Sequence, residues 1–312
     1  LQHITAPASY NTSSLFNKAI LQSPGYAPPT DAQQTETFNK TLSLASSFAN
    51  TNITSLADLR QLPFEILNAV NVALVAASEY GTFTFQPVFD GNYVPALPDQ
   101  RLLNGSFDKN IDLITSRNSN EGKYLTDPSI QNDTAFLRLV QSMVPSAAPD
   151  AIAYITTVLY PPVFNGSYPY LTQNERASLI TGDFIITCHS FVLAKAFAKS
   201  EAEGQGKSWK YTFAVSPGLH GSDVAYTFFN GDTSTPNLGG VPVNATVARV
   251  LQTIISNHAQ TGQPDGLGVP PFPTYGNGRI FDLNSTMLGS VLSDPDDNER
   301  CKFWNEGSWF SG

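Results

Sequence analysis

Positive charge is scarce in this 312-residue chain: 17 Lys and Arg stand against 26 Asp and Glu, a formal net charge of -9 with His neutral. That balance gives no basic footprint for a phosphate backbone, so nucleic acid is not an expected partner. Long apolar runs are missing as well. The most apolar stretch, residues 69–77 (AVNVALVAA), is interrupted by Asn71 and is far shorter than the roughly 20 residues of a membrane-spanning helix, so no span is expected. Cysteine is limited to Cys188 and Cys301, which on number alone fit either one bridge or two separate core thiols. With four histidines beside them, no paired metal-ligand spacing occurs, and no Walker-type or dinucleotide Gly-rich loop is found. No metal or organic cofactor is therefore indicated. Gly-x-Ser-x-Gly is also absent: Ser23 precedes Gly25 but follows Leu21, and Ser216 precedes Gly218 but follows Ala214.

What is present describes a globular protein, 41% hydrophobic and 14% charged, long enough to bury most of its surface in one large domain or two ordinary ones. Asn-x-Ser/Thr occurs at Asn11, Asn39, Asn52, Asn104, Asn132, Asn165, Asn244 and Asn284, never with Pro in the middle. So dense a set of acceptor sequons, with little Lys and much Pro, Gly and Tyr, points to a secreted glycoprotein. The first residues, LQHITAPASY, hold no initiator Met, basic n-region or apolar h-region, so the expected start is an internal one.

Residues 14–25 begin helix-like and run through Ala19, Ile20 and Leu21 to Ser23-Pro24-Gly25, a helix end feeding a buried strand. From 31 to 78 the pattern is that of surface helices in pieces. Residues 83–97 alternate around Asp90-Gly91 and predict a hairpin. Residues 111–114 (IDLI) predict a short buried strand followed by a polar loop from Ser116 to Gly122. Helices are predicted over 133–143, 149–159 and 175–199, the last turning Ile180, Phe184, Cys188, Phe191 and Leu193 to a core. Residues 209–215 (WKYTFAV) predict a second strand entering the loop Ser216 to Asp223. Asn244 is placed to cap a helix to about Gln260, stopped by Gly262; beyond it the chain is Pro/Gly-rich and expected to be irregular. No repeat, low-complexity tract or linker divides the chain, so residues 1–312 are taken as one domain.

Ligands of open α/β sheets sit beyond the carboxyl ends of strands, where loops present side chains without disturbing the sheet. His220 lies in such a loop between Gly218 and Gly221, which let the backbone turn sharply and expose the ring. Asp223 is close enough to orient its neighbours. Glu121, followed by Gly122, is the parallel case after the earlier strand. A carboxylate that fixes an imidazole and the imidazole itself are the last two members of a nucleophile-acid-His triad, in that chain order. Each alone reads equally as a loop acid or a hydrogen-bonded imidazole. The nucleophile is the missing member.

The order of several segments resembles the C-terminal part of a type-B carboxylesterase, the cholinesterase-like branch of the α/β-hydrolases, and a fungal one. Residues 15–23 (LFNKAILQS) resemble the strand after the nucleophile helix, although Pro24 replaces the usual Gly. Residues 85–91 (FQPVFDG) resemble the family's P-V-x-D-G segment, 118–122 (NSNEG) its acid motif and 220–223 (HGSD) its histidine motif. Residues 261–265 (TGQPD) and 272–275 (FPTY) look like its G-x-P-N and W-P-x-Y, with Asp265 and Phe272 as departures. The resemblance implies an α/β fold, a mostly parallel sheet flanked by helices, lacking the N-terminal strands and the nucleophile elbow. It makes Glu121 and His220 the catalytic acid and base, with Asp223 behind them and an ester as substrate. It also pairs Cys188 with Cys301, and a loop of over a hundred residues closed in this way stabilises by about 4–5 kcal/mol in chain-entropy terms.

By the same resemblance residues 1–4 fall in the helix just after the elbow, so the Ser and the oxyanion-hole donors lie upstream and the chain alone is expected to be inactive. An unpaired central strand would make it aggregate or bind apolar dyes. Three forms are compatible: a shortened version of a secreted carboxylesterase or lipase, a nicked enzyme whose N-terminal fragment stays packed on this one and supplies the Ser, or a non-catalytic cholinesterase-like adhesion module. The aromatics Tyr160, Tyr168, Tyr170, Phe228 and Phe229 are either gorge lining or core.

Overall fold

The computed structural model describes residues 1–7, 15–234 and 239–310. Five strands form one sheet in the order β1 (Lys18–Gln22), β2 (Asp112–Asn118), β3 (Ser208–Phe213), β4 (Arg279–Leu283) and β5 (Ser290–Ser293). The first four are parallel and β5 returns antiparallel to β4. A mostly parallel sheet needs helices on both faces, and both are covered. Ile114 of β2 and Trp209, Tyr211 and Phe213 of β3 pack on one side with Val247, Leu251 and Ile254 of the helix Ala245–Thr261. On the other side Leu113 meets Val192, Leu193 and Phe197 of the helix Cys188–Ala202.

That second helix continues a helical run from Gln173, with a π turn over Asp183–Thr187. The run is long and apolar enough to cross a membrane, but nearly all of its apolar part is buried inside the fold. It serves as a core helix. Its residues Ile180, Phe184, Cys188, Phe191 and Leu193 are all buried, as the sequence predicts. Helices Asp31–Ala49, Leu56–Arg60 and Phe64–Ala76 gather around their own apolar cluster of Ala45, Ile53, Leu59, Val70 and Leu74. The helices expected at 133–143 and 245–260 are found as Asp133–Met143 and Ala245–Thr261. Asn132 and Asn244 accept backbone N–H bonds at their starts, and Gly262 (φ 78°) ends the second.

Four expectations are corrected. Residues 83–97 form a turn but no hairpin: Asp90 Oδ1 takes the N–H groups of Asn92 (2.9 Å) and Val94 (2.8 Å), while Pro87 and Pro95 cannot donate to a ladder. The polar stretch after Ile114 is strand, not loop, as far as Asn118, because Ser116, Arg117 and Asn118 pair with Tyr211, Thr212 and Phe213. β1 is half-buried rather than buried, and residues 15–17 before it are not helical. The Pro/Gly-rich tail is not irregular; it holds β4, β5 and the helix Glu299–Glu306, elements too short to show a period.

Candidate active site

β2 and β3 run side by side and in the same direction, so the loops leaving their carboxyl ends emerge together. Glu121 and His220 sit on those two loops. They are stapled to one another: Asn120 N–H donates to Gly218 O (2.7 Å), and its side-chain amide donates to Pro217 O (2.7 Å). Gly218 (φ 60°) lies so close to Ser119 that a Cβ would stand 2.0 Å from Ser119 Oγ. Behind the acid, a Cβ on Gly122 would fall 1.8 Å from Ser178 O, so the short helical turn Glu121–Lys123 can approach the helix Gln173–Gly182 only as glycine.

This packing brings Glu121 Oε2 to 2.6 Å from His220 Nδ1. Glu121 is 2% exposed, whereas the His220 side chain is 39% exposed. Its other oxygen, Oε1, accepts from Asn118 N–H (2.6 Å) and from Ser23 Oγ–H (2.6 Å). A buried carboxylate with this many donors is fixed in one orientation. The Glu121 hydrogen bond lifts the His220 pKa above its ordinary value; burial opposes this, and the charges of Glu121 and Asp223 add to it. Among the described residues no hydrogen bond engages His220 Nε2, the nitrogen on the partly exposed edge.

Asp223 does not touch the imidazole in a hydrogen bond. It is buried and ties the site to two strands: Asn118 Nδ2–H donates to Oδ1 (3.1 Å), and Gln22 Nε2–H to Oδ2 (3.1 Å). Burial raises its pKa, and the nearby Glu121 charge raises it further against the pull of the Asn118 bond. Ser23, unremarkable in the sequence except as a failed elbow, spends its proton on the acid. It takes a left-handed backbone (φ 50°) unusual for a residue other than Gly, directly after β1.

Cys188 and Cys301 are joined in a disulfide across 113 residues. Asp183 lies with the two sulfurs, but both sulfurs are consumed by the bridge and offer no thiolate to a metal. A cleft of about 710 Å³ between residues 79–86 and the helix Asp133–Met143 is lined by Pro28, Tyr80, Phe83, Leu139, Phe184 and Ile185, and by neither Glu121 nor His220. Tyr160 and Tyr170 are core residues, Tyr168 stacks on Tyr170 and is half-buried, and Phe228 is 79% exposed beside a half-buried Phe229.

A profile of the carboxylesterase family matches residues 2–304. The chain belongs to the carboxylesterase family. Among curated relatives it is 34% identical to carboxylesterase patB of Penicillium expansum over 93% of this chain and 49% of that protein. It is 25% identical to the acetylcholinesterase of Bungarus fasciatus over 95% of this chain and 52% of that one. The chain thus spans about half the length of these relatives. The crystal structure of Aspergillus niger EstA superposes with a TM-score of 0.77 at 19% identity, covering 98% of this chain and 61% of EstA. The α/β-hydrolase fold of the carboxylesterase family is therefore established, and the disulfide implied by the resemblance is present.

Proposed function

We propose that this chain carries the acid and base of a Ser-Glu-His triad in a secreted serine carboxylesterase whose nucleophile lies upstream of Leu1. The observation that carries the reading is the buried Glu121 carboxylate at 2.6 Å from His220 Nδ1, on loops from neighbouring strands. In the reaction, the upstream Ser attacks an ester carbonyl and His220 Nε2 takes its proton. His220 then protonates the leaving alcohol, while Glu121 keeps the imidazole in one tautomer and stabilises the imidazolium. Water, activated by the same imidazole, releases the acid. Secretion is supported by the disulfide and by exposed sequon residues Asn39, Asn52, Asn104, Asn132, Asn165 and Asn244. Asn284 is half-buried with Nδ2 bonded to Asp282, which makes it the poorest acceptor of the set; Asn11 lies outside the described residues.

The test is intact mass, N-terminal sequencing and fluorophosphonate labelling of protein isolated from its native source. The expected label falls on a Ser in a Gly-x-Ser-x-Gly peptide, on the same or an associated chain, and labelling is lost in a His220→Ala variant. A lone chain starting at Leu1 that takes no label and hydrolyses no ester would overturn the enzyme reading in favour of a binding module.

A further inference from the structure

His189 is buried in the helix Cys188–Ala202, and the triad makes no use of it. Its Nδ1 lies 2.8 and 2.9 Å from the two carboxylate oxygens of Asp99, and its Nε2 lies 2.8 Å from Tyr26 O. A carbonyl oxygen only accepts, and Asp99 already accepts from Asn305 Nδ2 (2.8 Å). Both ring nitrogens therefore donate, and the ring is an imidazolium. The groups around it are Asp99 from the helix Pro98–Leu103, with Asn305 of Glu299–Glu306 bonded to that carboxylate, and Tyr26. Burial lowers the His189 pKa, but the Asp99 charge and hydrogen bonds outweigh it, so the net shift is upward.

Tyr26 stands three residues after Ser23. Its N–H donates to Ile185 O (2.9 Å) and its carbonyl is held by His189, while Ser23 N–H is bonded to Ser116 O (2.9 Å). A left-handed Ser persists only where both ends of its turn are fixed. We infer that His189 is a positioning residue of the proposed active site: by gripping Tyr26 it keeps Ser23 in the conformation that places its hydroxyl on Glu121. This rests on the triad reading for its catalytic consequence, though the grip itself is independent of it.

The grip has a defined mode of failure. When the imidazolium loses one proton, the other stays on Nδ1, because the Asp99 carboxylate is a stronger acceptor than a carbonyl. The Tyr26 bond is the one released. Asp99→Asn reverses the preference: the Asn amide donates to Nδ1, and the neutral ring keeps its proton on Nε2 for Tyr26.

The experiment compares wild type, D99N, H189Q, S23A and S23A/H189Q, by histidine-labelled NMR across alkaline pH and by kcat and KM of the active enzyme. In wild type, the His189 Nε2 proton and the His220 Nδ1 proton signals are expected to fade together as pH rises, and both are expected to persist in D99N. H189Q is expected to lower kcat about tenfold with KM unchanged, and to add nothing in the S23A background. Additive losses in the double variant, or D99N and wild-type signals fading at the same pH, would overturn the inference. If the NMR result holds but no form hydrolyses an ester, the proposed function fails and the positioning of Ser23 stands.

Discussion

At Glu121 and His220 the sequence was legible because each residue follows a strand into a loop with glycine beside it, and elementary chain geometry then puts both at one edge. Ser23 was not legible. Its contact with Glu121 spans 98 residues and depends on a left-handed backbone that no residue type announces at that position. The electrostatic consequence is readable only from the geometry. His220 acts as a base when neutral, and the Glu121 hydrogen bond raises its pKa against the effect of burial. The acidic limb of kcat/KM is therefore expected above the ordinary imidazole midpoint of about 6.5. Glu121→Gln removes the charge and, with the amide oxygen taken by Asn118 N–H and Ser23 Oγ–H, turns an NH2 donor toward Nδ1, so the limb should move to lower pH. The limiting kcat should fall on the order of 10³–10⁴-fold, the scale of losing a triad carboxylate elsewhere. A pH–rate series of the two proteins checks both, and an unmoved limb would mean that Glu121 does not set the imidazole.

Among the elements, long periodic helices and β3 were read correctly, β2 only in its first half, and the short ones after Gly262 were not. What ties that tail to the sheet is charge that hydropathy cannot display. Lys210 of β3 is wholly buried, with its Nζ 2.7 Å from Asp294 and 2.6 Å from Asp296, and Arg117 of β2 forks onto Asp296 at 2.7 and 2.8 Å. Tyr275 donates to Asp294 (2.7 Å). Two cations and two anions neutralise each other, and each would be costly alone. Burial acts to raise the Asp296 pKa, but Arg117 and Lys210 hold it far below the usual carboxylate range. A depressed folded pKa contributes stability that is full above about pH 4 and is lost as pH falls through the folded value. Asp296→Asn leaves Arg117 and Lys210 short of a partner and should cost about 3–5 kcal/mol at neutral pH. Its deficit relative to wild type should shrink toward strong acid. Urea melts at several pH values measure this, and a pH-independent difference under 1 kcal/mol would show that the cluster is not held as ion pairs.

Over the whole molecule, fold class followed from the resemblance in the order of several segments, and the cross-links between distant parts followed from nothing local. The disulfide fastens the helix Cys188–Ala202 to Glu299–Glu306, and Trp304 and Trp309 close over Phe184 beside it, so the carboxyl-terminal side of the sheet is locked. The opposite side differs. Among the described residues β1 pairs only with β2, and all five of its residues are half-buried. A strand edge without a second strand partner among the described residues, with an apolar Ala19-Ile20-Leu21 centre, templates further pairing. In the proposed whole enzyme, upstream chain covers that edge. Residues 1–312 produced alone should therefore self-associate and bind an apolar dye, and co-production with the upstream region should abolish both. Light scattering coupled to size exclusion decides it: a monodisperse, dye-silent monomer of the isolated chain would mean that β1 is protected by residues within it, and the case for an upstream partner at this edge would be lost.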